Sequence, residues 1–444
     1  MTQTQSAPPA TWSPPAQQPS NGTQQVPAKR TRSPRTAVAA WFEGTPGRMR
    51  AFLLVAAAMS VIFGLAAAQG FRQSDGALER AEANTAQLVR IQAIHTNLVS
   101  ANADATNAFL VGGLEPPEQR QHFVDSLANA AALITEAATA QPADQEALGA
   151  LNQTLITYEG LIEQARANNR QGLPIGSQYL KDANAVLQND SLPLVKALVQ
   201  ANEERVNTEF DGVGKGTIWV VVSGLLALVV FVITLRWLAR RTHRYVNVPI
   251  AAGALLVLLT TIVGGVALSS AAGKASDTGD NAYAKTLALS RARIAAYDAR
   301  SNESLTLIAR GSGDAFDKAY NDAAAVVDDQ LGKASGTTDG LQDRWSAYKI
   351  VHGQVRKADT GGDWDGAVAL AVGSEQSQND SVDKFTDFDK SSADQLQTTS
   401  DAVSDELTDA RDGLPPIGWL GLPIGIVAAL LVAWGMSQRL GEYR

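Results

Sequence analysis

The stretch "TIWVVVSGLLALVVFVITLRWLARRTHRYVNVPIAAGALLVLLTTIVGGVALSSA" (Thr217–Ala271) decides the fold. It holds two apolar runs, 217–238 and 248–271, separated by a basic loop at 239–247. The only charge inside either run is Arg236, near the end of the first. A helix rises about 1.5 Å per residue, so each run is long enough to cross about 30 Å of hydrocarbon. The reading is a membrane hairpin. Two more runs of the same kind, 51–69 and 417–436, lie toward the ends of the chain. Pro249 falls at the start of one span, where a missing N–H costs little, and Pro423 falls inside the last.

Orientation follows from the distribution of Lys and Arg. Lys29, Arg30, Arg32, Arg35, Arg48 and Arg50 precede the first span, and Arg240, Arg241 and Arg244 fill the central loop. Arg439 and Arg444 follow the last span. The two long connectors are acidic instead. Residues 72–215 carry 10 basic against 18 acidic side chains, and residues 273–413 carry 15 against 25. By the positive-inside bias, both termini and the central loop are expected in the cytoplasm and both connectors outside. "LAAAQG" (Leu65–Gly70) has the look of a cleavage site. About 50 residues before the apolar core is too long for an ordinary signal peptide, so 51–69 is expected to stay as a span.

Both connectors read as helix. Leu148, Leu151, Leu155, Tyr158 and Ile162 form one apolar seam, and Leu341, Trp345, Tyr348 and Val355 form another. "GGLEPPEQ" (Gly112–Gln119), "AQPADQ" (Ala140–Gln145) and "NNRQGLPIG" (Asn168–Gly176) break the first connector into about four helices. "RGSGDAF" (Arg310–Phe316), "KASGTTDG" (Lys333–Gly340) and "ADTGGDWDG" (Ala358–Gly366) break the second in the same way. A connector that leaves the membrane and returns needs an even number of helices, so each is expected to be an up-down four-helix bundle. With no cysteine in the chain, each bundle is expected to rest on its own apolar core.

The connectors also match each other. Leu151 and Leu341, Tyr158 and Tyr348, Arg166 and Arg356, and Gly172 and Gly362 share one offset of 190 residues. Gln188-Asn189-Asp190-Ser191 recurs at the same offset as Gln378-Asn379-Asp380-Ser381. The fold class is therefore an all-α membrane protein with four transmembrane helices and two extracytoplasmic four-helix bundles in tandem duplication. Its segments are a basic tail (1–50), span 51–69, bundle 70–216, span 217–238, loop 239–247, span 248–271, bundle 272–416, span 417–436 and stub 437–444.

Several residues invite two readings. Asn189, Asp190, Asn379 and Asp380 suit helix capping first, with contact to a ligand or partner as the alternative. If the helix ran straight through the first copy, Asp190 would face inward. Arg166 and Arg356 suit a helix C-terminus first, with an anionic ligand as the alternative. Tyr158, Tyr348 and His95 lie on apolar seams and read as core. Gly212, Gly214 and Gly216 form a candidate joint before the second span, whereas "GLPPIG" (Gly413–Gly418) breaks the helix before the fourth.

Catalysis is not expected. The four histidines form no HxxxH or HExxH pair, and no phosphate-binding glycine loop or nucleophile motif is present. No metal, cofactor or nucleic acid is implied. The polar content of the spans is also low for a transport path. The Pro-, Gln- and Ser-rich tail is expected to be disordered, with Thr31, Ser33 and Thr36 placed among basic residues as candidate phosphorylation sites beside membrane lipid. Small residues in the spans suit close helix packing, either within the chain or with a second copy in a homodimer.

The outer bundles resemble the sensor domains of chemoreceptors and sensor kinases. The whole layout, with its tandem spans and basic Pro-rich tail, resembles the actinobacterial GlnX-type membrane proteins. That resemblance implies an extracytoplasmic amino-acid-binding lipoprotein and a cytoplasmic Ser/Thr protein kinase as partners, with amino-acid availability as the signal. It supplies no ligand residues. A structural scaffold for envelope proteins, or a receptor that binds a small molecule directly in a bundle, would show the same spans and seams.

Overall fold

The computed structural model describes residues 44–111, 115–242, 247–336, 340–373 and 380–441, and every regular element among them is helical. In the first half α1 (Gly44–Val111) is one helix of 68 residues. It is followed by α2 (Pro117–Ala140), α3 (Gln145–Arg170), α4 (Ile175–Val186), a π-helical turn (Leu187–Ser191), α5 (Leu192–Val213) and α6 (Lys215–Thr242). The second half runs α7 (Val248–Thr278), a π-helical turn (Gly279–Tyr283), α8 (Ala284–Ile308), α9 (Asp314–Lys333), α10 (Leu341–Thr360), α11 (Trp364–Val372), α12 (Ser381–Asp412) and α13 (Ile417–Gly441). The breaks fall where Gly and Pro cluster. Gly172 and Gly362, matched in sequence, both take left-handed φ values, +68° and +86°, just past the ends of α3 and α10.

Four helical stretches, in α1, α6, α7 and α13, are long and apolar enough to cross a membrane. They share a core that includes Phe63, Phe71, Phe231, Val257 and Val432. Their outward faces expose Ile218, Leu225, Val266, Leu430 and Trp419. Water would penalise that much contiguous apolar surface, so the arrangement fits a multi-pass membrane protein. Glycine sets how closely the spans approach. A Cβ on Gly64 would lie 2.6 Å from the carbonyl oxygen of Gly421, and one on Gly425 would lie 2.6 Å from that of Ser60. Backbone meets backbone between α1 and α13.

Away from the spans the structure departs from the expected pair of separate cores. One apolar core runs from Ile91, Leu98, Leu151 and Tyr158 in the first half into Leu289, Ala296, Tyr348 and Phe385 in the second. The reason lies in α1 and α8, which pack against each other. From residue 98 to 108, α1 is buried around its whole circumference, and α8 is buried from 303 to 307. "VSANADATNA" (99–108) has small side chains on every face, so helices of both halves can approach it.

The span contacts make a specific prediction. Gly64→Val should destabilise the chain by about 1–3 kcal/mol through overpacking against α13. Gly273→Ala, where an added Cβ meets nothing within 4 Å, should be neutral or slightly stabilising. Thermal unfolding of both variants in lipid nanodiscs checks the contrast.

Candidate functional site

The seam between α1 and α8 is held by polar side chains that need internal partners. The amide nitrogen of Asn102 donates to Ser301 Oγ at 2.8 Å across the seam and to Asn184 Oδ1 at 3.2 Å. Tyr158 Oη donates to Asn102 Oδ1 at 3.3 Å. A tyrosine expected as a packed aromatic with a bonded phenol is found as that, almost fully buried.

Each half contributes a carboxylate paired with a histidine. Asp104 Oδ2 lies 2.6 Å from His122 Nδ1, and Glu303 Oε2 lies 2.7 Å from His352 Nδ1. Ser381 Oγ donates to Glu303 Oε1 at 2.6 Å, and Tyr320 stacks on the His352 ring with centroids 3.4 Å apart. The hydroxyl sits on the carboxylate rather than on the imidazole. That order differs from the one that activates a serine nucleophile. The pairs instead tie helices together: α1 to α2 in one half, and α8 to α10 and α12 in the other.

These pairs were not singled out from the sequence, because 18 residues separate Asp104 from His122 and 49 separate Glu303 from His352. The hydrogen bond to Asp104 raises the His122 pKa above its ordinary value, against a smaller opposing effect of burial. Buried His95, by contrast, is held down to about 4 by burial and then by the charge of Lys196.

Two clefts open on this region. One of about 430 Å³, between the halves, is lined by Asp104, Asn107, His122, Tyr297, Arg300 and Asp389. The Arg300 guanidinium lies over the Phe385 ring at 4.6 Å. The other, about 250 Å³ within the first half, includes Arg166.

The predicted site residues fall in different places. Arg166 pairs with Glu115 at 2.9 Å and Glu163 at 3.0 Å and lies 4.1 Å from the Phe123 ring centroid. Arg356 pairs with Asp317 at 2.7 Å and with Asp359. Both guanidiniums are thus engaged by carboxylates of their own half. Asn189 and Asp190 are exposed on the π-helical turn, a correction to the inward Asp190 of a straight helix. The extra residue of the turn shifts the register, and the buried face runs through Leu187, Ser191, Val195 and Leu198 instead. Ser191 Oγ donates to Thr154 Oγ1 at 2.8 Å.

In the second copy Asp380 is buried and caps α12, accepting from the Asp383 N–H at 2.9 Å. Asn379 lies outside the described residues, as do Thr31, Ser33 and Thr36. Gly212–Gly216 does not interrupt the helical path beyond one turn residue, Gly214. Gly216 packs against the Gly70 carbonyl and Ser74, so little space surrounds it. "GLPPIG" does break the helix, between α12 and α13.

With this geometry in place the comparisons become informative. Residues 77–211 match the family model of the actinobacterial sensor domain. The match covers the outer part of α1 through nearly all of α5, and it supports an actinobacterial sensor protein. No curated protein and no solved structure matches the chain.

Two outcomes follow for the histidine pairs. Glu303→Ala strands buried His352 and Ser381 and should cost about 3–5 kcal/mol, whereas Glu303→Gln should cost less. Because the folded pKa of His122 is raised, its pairing stabilises fully below the ordinary value of 6.5. It is lost as pH rises through the raised value. Unfolding temperatures measured through that window should fall less with pH in His122→Gln than in the native chain.

Proposed function

We propose that the chain is a non-enzymatic transmembrane sensor subunit that relays an extracytoplasmic signal to a separate cytoplasmic protein. The observation that carries this reading is helical continuity at both ends of the matched sensor region. α1 contains the first apolar span and the first sensor helix in one element, and α5 passes into α6 with a single turn residue between them. A helix shift or rotation made outside would travel into the membrane without a slack linker to absorb it.

In this reading both termini and the 239–247 loop are cytoplasmic, and the two connectors are outside as a tandem duplication of one helical sensor unit. The buried positions shared by Leu151 and Leu341 and by Tyr158 and Tyr348, and the left-handed Gly172 and Gly362, support the duplication. The signal is amino-acid availability, delivered by an extracytoplasmic amino-acid-binding lipoprotein and passed to a Ser/Thr protein kinase. That finer assignment rests on the resemblance of the whole layout to GlnX-type proteins.

Photo-crosslinking from both faces in cells, with amino acids replete or withheld, tests the relay. A solute-binding protein captured outside in a nutrient-dependent way, with a kinase captured inside, is the expected result. Constant envelope partners in both conditions and no kinase would favour a scaffold. Within the same assay, Gly216→Leu should uncouple the two sides, because it forces α6 away from Gly70 and Ser74.

A further inference from the structure

A third cavity, of about 470 Å³, is built from both halves. α1 and α5 of the first half face α8 and α9 of the second across it. Part of its wall is apolar, from Val199, Ile294, Ala323 and Val326. The rest carries polar groups that lack what buried polar groups normally have.

Gln92 is 2 % exposed, and both its amide nitrogen and its amide oxygen are without a hydrogen-bond partner. His95, one helical turn further along α1, is 6 % exposed with Nε2 unpartnered. Such groups cost about 1–3 kcal/mol each when left unmet, so their presence on a cavity wall points to an occupant. Opposite them, Asp298 of α8 is half-buried at the cavity. Among the described residues its carboxylate makes no ion pair and no side-chain hydrogen bond. Lys196 of α5 lines the same cavity but is exposed and forms no ion pair with it. The remaining charges on the wall are already paired, Arg291 with Glu203 within the cavity and Asp322 with Lys318.

We propose that this cavity binds a small amphiphilic ammonium compound, its cation on Asp298, its apolar body against Val199, Ile294 and Val326, and its other polar atoms on Gln92 and His95. The occupant would bridge the two halves of the chain, since its anchors come from α1 and α8. This goes beyond the relay reading and stands without it, because binding requires neither an outside protein nor a kinase.

The electrostatics agree with the geometry. Enclosure pushes the Asp298 pKa up to about 6, with Lys196 opposing that rise. An ammonium group placed there supplies the missing counter-charge and favours the ionised form. His95, held at about 4, remains a neutral hydrogen-bonding ring over the range in which Asp298 titrates.

The test is equilibrium dialysis of benzylamine, with neutral benzyl alcohol as its isostere, against the full chain in lipid nanodiscs and empty nanodiscs as the blank. Benzylamine should bind above the blank near one per chain at about pH 7.5 and weaken roughly tenfold at about pH 5, while benzyl alcohol binds more weakly and without pH dependence. Asp298→Asn removes an unpaired carboxylate and should fold, yet lose at least about tenfold in benzylamine affinity together with the pH dependence. Ala323→Leu, which fills the cavity without touching a charge, should weaken both compounds. Benzylamine no tighter than its isostere, no binding above the blank, or selective binding that survives Asp298→Asn would each overturn the proposal.

Discussion

Two helices buried on every side over part of their length cannot leave the polar side chains there to water, and that constraint organises the contact between the halves. α1 and α8 belong to one core that mixes apolar side chains with small and polar ones such as Asn102 and Ser301. Asn102 bonds Ser301 across the seam, while Asp104 to His122 and Glu303 to His352 and Ser381 fix each of the two helices against its own half. The outer helices then pack around the pair, and the first connector's sensor-like helices become part of a larger common core.

Much of this architecture could be read from the chain. The four spans, the breaks between helices and the apolar seams of α3 and α10 depend on local pattern, because they need only hydrophobic spacing, glycine and proline. The joining of the two halves was not legible. Stretch 99–108 has no apolar stripe to announce a partner, since small residues are compatible with a solvated face and with close packing alike. Carboxylate–histidine pairs formed between separate helices leave no spacing signature. The repeated tetrapeptide shows the limit of local chemistry most directly: the same four letters occupy a π-helical turn in one half, and in the other the aspartate caps a helix start.

The two halves also meet the membrane differently. α5 runs on into α6 past one turn residue, and Gly70 and Gly216 hold α1 and α6 in backbone contact there. On the other side Pro415 and Pro416 separate α12 from α13. The first half is therefore joined to its second span across a single turn residue, whereas the second half reaches its last span through a bend. The shared core joins the two halves outside the spans.

One consequence follows from the length of α1. Its close contact with α13 at Gly64 lies about 70 Å from the far tip at Val111, counting about 1.5 Å of rise per residue. About that fulcrum, a tilt of roughly 1° displaces the tip by about 1 Å, on the scale of small helix shifts at interfaces. With residues 98–108 packed on every side, even a tilt that small at the span contact has to be accommodated by the common core.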